Sequence, residues 1–308
     1  MVGLTLRCII FGTAVGRPTR GADPGIDLIA VTIAGSLAGC DGLQRRCGST
    51  TRRVSVVTSV TATGGGEGDG EVDDALRLRL VDNLDRHERL GLPLEGRRHA
   101  AVAVVVVGSD RERDGQDLHP APADRMFDIP GAEELALTGS VAGTAGGPAV
   151  LLTRRAATLR AHGGQWALPG GRVDEGETPM AAARRELHEE LGLALAEADV
   201  LGVLDDYATR SGYVITPFVL WGGQEPTLVP DPAEVRSVHR ISFRELCRAD
   251  SPRFVTIPES NRPVVQLPIG GDLLHAPTGA VLLQFRRVAV EGVCERVADY
   301  EQPVFAWR

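Results

Sequence analysis

The sequence predicts a mixed α/β domain, and three observations carry that expectation. Ala100 to Val107 read AAVAVVVV, a short β-branched run bounded by polar residues. Pro179 to Leu191 has the composition of a helix with start and stop signals at its two ends, and shorter apolar runs recur around both segments. Strand-like and helix-like segments interspersed in one chain are what a sheet covered by helices requires.

The elements follow in chain order. Residues 1 to about 72 are rich in Gly, Thr, Ser, Arg and Val, show no sustained period and close in Gly64-Gly65-Gly66-Glu67-Gly68-Asp69-Gly70. A disordered N-terminal extension ending in a flexible linker is expected there, with one domain from 73 to 308. From Asp73 onward, Leu76, Leu80, Leu84 and, past a charged turn, Leu90 sit at helical spacing, and Asp73 and Asp74 suit a helix start. The run 100–107 is apolar on both faces and strand-like in length, so it reads as a buried central strand. Residues 110–147 are polar and rich in Gly and Pro, a length and texture that suggest a surface insertion. Further strands are expected at Ala149–Thr153, Val200–Leu204, Tyr213–Trp221 and Val281–Val288, with a helix over Ser242–Arg248.

Charge narrows the function. The chain holds 33 basic and 41 acidic residues for a formal charge of −8, and every basic residue is arginine. The lack of lysine excludes a Walker A phosphate clamp, a Schiff base, pyridoxal phosphate attachment and a kinase-type strand lysine. Net acidity argues against duplex DNA or an anionic membrane as partner, because both demand clustered positive charge. A small-molecule substrate is expected, with a homodimer as an open possibility. Cys8, Cys40, Cys47, Cys247 and Cys294 form no C-x-x-C pair, so neither a disulfide framework nor structural zinc is expected. The longest apolar stretch, Ile26 to Gly39, is too short to span a bilayer and contains Asp27. Arg17, Arg20 and Asp23 interrupt the pattern of a signal peptide, and a cytoplasmic location is expected.

The densest chemistry lies in residues 164–193, GQWALPGGRVDEGETPMAAARRELHEELGL. On a helix starting near Thr178, Glu186, Glu189 and Glu190 fall on one face, where like charges repel and raise one another's pKa. A hard divalent cation resolves that conflict, since Mg²⁺ and Mn²⁺ take carboxylate oxygens together with phosphates and water. Taken alone, the same triple also suits a solvated acidic face. Pro169-Gly170-Gly171 before the helix lets a carbonyl turn toward the same ion. Thr178 and Pro179 start the helix, Gly192 ends it, and Arg185 can reach back to Glu177.

Residues 171–193 resemble the Nudix box, G-x5-E-x7-R-E-U-x-E-E-x-G-U with U a bulky aliphatic. Gly171, Glu177, Arg185, Glu186, Leu187, Glu189, Glu190, Gly192 and Leu193 fill every defined position. The resemblance implies the Nudix fold, a mixed β-sheet sandwiched between α-helices (α/β/α), and metal-dependent hydrolysis of a nucleoside diphosphate linked to another group. It assigns Glu186, Glu189 and Glu190 as ligands of Mg²⁺ or Mn²⁺ with the Gly171 carbonyl, and a structural salt bridge to Glu177 and Arg185. Glu189 or Glu190 is the nearest general base; Glu234, in a downstream loop, competes for the role.

Just upstream, LLTRRAATLRAHGGQWALPGG (151–171) resembles the further signature of the coenzyme A pyrophosphatase branch, L-L-T-x-R-[SA]-x3-R-x3-G-x3-F-P-G-G, with Leu168 in place of its Phe. That resemblance implies coenzyme A or its thioesters as substrate, and hydrolysis of another diphosphate such as ADP-ribose or NADH is the alternative. Four arginines and no acid lie between Leu151 and Val173. Guanidinium forks suit phosphate oxygens, so Arg155, Arg160 and Arg172, with His162 beside them, are the candidate substrate contacts. Arg154 reads instead as a solvated loop residue. A non-catalytic nucleotide sensor is a third reading, disfavoured because every carboxylate of the box is present.

Overall fold

The computed structural model describes residues 71–122, 129–131, 135–156 and 164–306. The extension expected over 1–72 lies outside the described residues except for its last two. Asp73 caps the first helix as its position suggested: its side chain accepts from Leu76 N–H at 2.8 Å, and α1 runs Asp74–Asp85. Then come β1 (Arg98–Ser109), the single turn α2 (Arg111–Asp114), β2 (Gly147–Arg155), β3 (Trp166–Ala167), β4 (Gly170–Arg172) and α3 (Pro179–Leu191). The chain continues through β5 (Val200–Val203), β6 (Tyr207–Ala208), β7 (Tyr213–Gly223), β8 (Val235–Ser242) and α4 (Phe243–Leu246). It closes with β9 (Arg253–Ile257), β10 (Ser260–Ile269), β11 (Asp272–His275) and α5 (Thr278–Phe285).

The main sheet is mixed, in the order β3-β2-β1-β7-β5, with β4 on β1, β6 on β7 and β8 on β2. The strand β1 is its axis, antiparallel to β2 and β4 and parallel to β7, with Ala101 opposite Thr216 and Gly171. Its alternation explains why both faces are apolar. Ala103, Val105 and Val107 pack with Leu187 and Leu191 of α3, while Val104 and Val106 join Leu76, Leu80 and Leu84 of α1 and Leu282, Leu283 and Phe285 of α5. Helices therefore cover both faces, and the expected α/β/α layering holds. A smaller antiparallel sheet, β9-β10-β11, completes the domain.

Two expectations need correction. The segment Val281–Val288 is not a strand: Thr278–Phe285 is α5, continued by a π-helical turn over Arg286–Val290. Every residue from Gly279 to Phe285 is buried, so the apolar pattern is continuous and carries no period to separate strand from helix. The stretch 110–147 is also more than a surface insertion. Its described residues bury Ile129, Val141, Thr144 and Ala145, and Thr144 O accepts from Ser242 N–H at 3.0 Å.

Near the other end of the described chain, Glu301 is fully buried. Its N–H bonds Pro263 O at 2.8 Å, and its carboxylate takes Arg210 at 2.5 Å, Ser260 at 2.7 Å and Arg262 at 2.9 Å. Burial alone would raise this carboxyl, but the charged donors outweigh it and hold the group below the usual carboxylate range. The next residue joins the same β6–β7 turn, where Gln302 Oε1 accepts from Arg210 N–H at 2.6 Å. No helix among the described residues is long and apolar enough to cross a membrane.

Candidate active site

The box helix is specified locally. Thr178 Oγ1 accepts from Ala181 N–H at 3.2 Å, Pro179 occupies the first turn, and Gly192 closes the helix in the left-handed region at φ 66°. Ala182 and Ala183 on α3 pack on Ala101, small side chains that bring the helix close to the strand carrying Gly170 and Gly171. The approach is tight: a Cβ built on Gly171 would stand 2.2 Å from Glu186 Oε1. The Glu186 carboxylate is therefore seated directly against the Gly171 backbone.

Arg185 organises the carboxylates. It meets Glu177 in a fork, Nε to Oε1 at 3.0 Å and Nη2 to Oε2 at 3.1 Å, and its Nη1 reaches Glu186 at 3.0 Å and Glu189 at 2.9 Å. Nη2 also donates to Arg172 O at 3.1 Å, tying helix to loop. The hydrogen bonds from Arg185 hold the Glu177 carboxyl below its ordinary value. Glu189 is largely exposed. Glu190 is the opposite, only 4% exposed. Burial pushes its carboxyl up to about 8; the Arg155 charge opposes the shift, while Glu186 and Glu234 add to it. Glu186 is raised by burial too, against the pull of Arg185.

The sequence-derived residues are thus brought together unevenly. Glu177, Arg185, Glu186 and Glu189 form one ion-paired group, and Glu190 lies inward of it. Glu234 is exposed on the loop before β8, held near α3 because Asp231 N–H bonds Glu190 O at 2.9 Å and Glu234 O accepts from Ala156 N–H at 2.8 Å. Among the described residues no three His, Cys, Asp or Glu side chains already stand in metal-holding geometry. Arg185 holds Glu186 and Glu189 in ion pairs on its guanidinium. Arg160 and His162 lie outside the described residues.

Beside the Gly170–Arg172 strand opens a cavity of about 790 Å³, lined in part by Arg155, Gly170, Gly171 and Arg172 and by none of the box carboxylates. Arg172 Nε donates to Tyr213 OH at 3.1 Å, which fixes the side chain along the rim. Arg154 corrects the sequence reading. It is 1% exposed, on β2, with Nη2 donating to Gly139 O at 2.7 Å and to Asp272 at 3.1 Å, Nη1 bonded to His119 O, and its guanidinium 4.2 Å from the Trp166 ring centre. Strand alternation turns adjacent arginines to opposite faces, Arg154 inward and Arg155 toward the cavity. Trp166, Tyr213, Asp272, His275 and Phe305 also line the cavity, and the sequence reading singled out none of them as a site residue. Trp166 sits within the upstream signature; the others come from distant strands and have no local pattern to betray them.

Residues 139–260 match the family model described as the NUDIX domain. The chain is similar to the protein described as "Uncharacterized Nudix hydrolase NudL" of Photorhabdus laumondii, 36% identical over 36% of this chain and 59% of that one. Its namesake of Cronobacter sakazakii is 48% identical over 33% of this chain and 53% of its own. The chain thus spans little more than half the length of these curated relatives. Of solved structures, the MutT protein of Methanosarcina mazei Go1 aligns over 52% of this chain and 83% of its own, 18% identical at a TM-score of 0.30, too low to carry weight. The matched family segment starts after β1, so the axial strand and the C-terminal wall of the cavity both lie outside it.

Proposed function

We propose that the domain hydrolyses the diphosphate bond of coenzyme A or an acyl-coenzyme A, giving 4′-phosphopantetheine and adenosine 3′,5′-bisphosphate. The observation that carries this reading is the shared placement of Arg155, Arg172 and Gly171 on one cavity, with the Gly171 backbone seated against the Glu186 carboxylate of the box helix. The similarity to NudL proteins described as Nudix hydrolases supports the reaction class, and the substrate is read from the local chemistry.

A divalent cation fits the residues present. Glu190 is buried among like charges that push its carboxyl upward, and Glu186 is packed on the Gly171 backbone, so a hard cation would relieve both. Glu186, Glu189 and Glu190 would hold Mg²⁺ or Mn²⁺ together with the Gly171 carbonyl. When bound, such an ion screens the diphosphate charge and acidifies the attacking water. The protein groups do the rest. Arg155 and Arg172, with Arg160 and His162 of the same signature, hold phosphate oxygens; Arg185, through Glu177 and Arg172 O, keeps the box loop fixed on α3. Glu190 or Glu189 accepts the proton of the attacking water, and Glu234, close enough to raise both Glu186 and Glu190, is the competing base. The work is that of a small-molecule enzyme, and a cytoplasmic location suits such a substrate.

Turnover of coenzyme A, ADP-ribose and NADH measured side by side with Mg²⁺ tests the substrate. Fastest cleavage of coenzyme A, with 4′-phosphopantetheine identified by mass spectrometry, is expected. Faster cleavage of ADP-ribose or NADH would replace the assignment by the alternative, and no cleavage of any of the three would favour a nucleotide-sensing domain.

A further inference from the structure

The cavity has a second wall, built by chain segments that lie outside the box. Leu273 of β11, Ala276, Pro277 and Val281 at α5, Ile129 and Phe305 present carbon to the interior. The polar side chains among them are engaged within the protein. Asp272 accepts from Trp166 Nε1 at 2.9 Å and from Arg154 at 3.1 Å, and its other oxygen takes Leu273 N–H at 2.8 Å. His275 Nε2 lies 3.2 Å from Gln266 Nε2, the Thr278 hydroxyl donates to Trp166 O at 3.3 Å, and Gln302 Oε1 accepts from Arg210 N–H. Phe305 stands edge-on to His275 with ring centres 5.3 Å apart, yet remains 39% exposed.

A wall of this kind reads shape and apolar area. A nucleobase needs donors and acceptors along its edges, and burying those edges against carbon leaves them unpaired at a cost. An aliphatic chain asks for nothing but the removal of its surface from water. The wall is continuous with Arg155, Arg172 and Gly171, so a ligand whose phosphates lie at the arginines can extend along it. We propose that this C-terminal wall is a specificity site for the acyl chain of a thioester-linked diphosphate substrate, with Phe305 at its mouth. The proposal rests on the diphosphate reading of the box and adds to it a preference for a medium or long aliphatic chain over the free thiol.

Calorimetric titration with Mg²⁺ of the full chain carrying Glu190→Gln, which suppresses turnover, separates the two. Decanoyl-coenzyme A is expected to bind at least about tenfold tighter than coenzyme A, the discrimination an apolar pocket gives for even one or two methylenes. Adding Phe305→Ala should narrow the ratio and Phe305→Glu should remove it, with decanoyl-coenzyme A weakened far more than coenzyme A; Phe305 is exposed enough for both variants to fold. Equal affinities, no binding of decanoyl-coenzyme A, or a ratio untouched by Phe305→Glu would overturn the wall assignment. Wild-type turnover is read in parallel. Tighter decanoyl binding without hydrolysis of either ligand would uphold the wall and sink the hydrolase reading, and hydrolysis with equal affinities would do the reverse.

Discussion

The box loop and helix differ from the C-terminal wall of the cavity in how they are made. The box group, Glu177, Arg185, Glu186, Glu189 and Glu190, comes from one loop and one helix, a few residues apart in sequence, and leaves its charges in surplus; it meets the cavity only through the neighbouring Gly171 and Arg172. The C-terminal wall gathers Ile129, Leu273, His275 and Phe305 from segments up to about 176 positions apart and leaves none of its polar side chains in surplus. Charge in excess marks where a reaction is driven; charge already neutralised marks where a shape is held. Adjacent Arg155 and Arg154 divide along the same line, the first facing the cavity and acting on Glu190, the second sealed beneath Trp166.

The contrast breaks most visibly at Glu190. Glu190→Gln is expected to lower kcat roughly 10²- to 10⁴-fold, the range of a lost proton acceptor, with circular dichroism and Tm showing an intact fold. Loss below about tenfold would remove Glu190 from the chemistry. Next in size is the arginine pair. Arg154→Met leaves Asp117 and Asp272 buried without their cation and should cost about 3–5 kcal/mol in a denaturant titration. Arg155→Met should leave Tm nearly unchanged and raise KM instead; the reverse pattern would invert their roles.

Acid and alkali should separate the two regions as well. The Glu190 carboxyl is raised from about 4.5 to about 8, so it contributes stability below its unfolded value that is lost as pH rises toward 8. In EDTA, the Tm advantage of Glu190→Gln over wild type should therefore grow between pH 5 and pH 8. Burial lowers His275 from 6.5 to about 4, so its neutral form is favoured above 6.5 and stability is lost as pH falls from 6.5 toward 4. Replacing His275 by Gln should flatten that acid limb and leave the alkaline one alone. The smallest effect is expected at exposed Glu234, where Glu234→Gln should change kcat by less than about tenfold if Glu190 is the base.

Legibility in the sequence followed the same division. The helix Pro179–Leu191 and its caps, the axial strand and every box residue depend on neighbours within a few positions, and these were readable from spacing. The last third of the fold was not. The strands β9 and β11 are only five and four residues long, β10 carries Pro263 and Pro268 within it, and α5 is buried all round, so its period is hidden. Nothing local distinguishes Arg154 from Arg155; its burial is decided by Asp272, 118 positions downstream. Phe305 and His275 likewise acquire meaning only through the edge-on packing of their rings, which joins residues 30 positions apart.

The contact between Gly171 and the Glu186 carboxylate bears on how mutational screens of this domain will read. With only 2.2 Å between a built Cβ and Glu186 Oε1, Gly171→Ala must displace the carboxylate even though it removes no functional group. Its phenotype should copy that of Glu186→Gln, and the two together should be no worse than either alone. A survey that scores positions one at a time would count two independent determinants here, where the molecule has one.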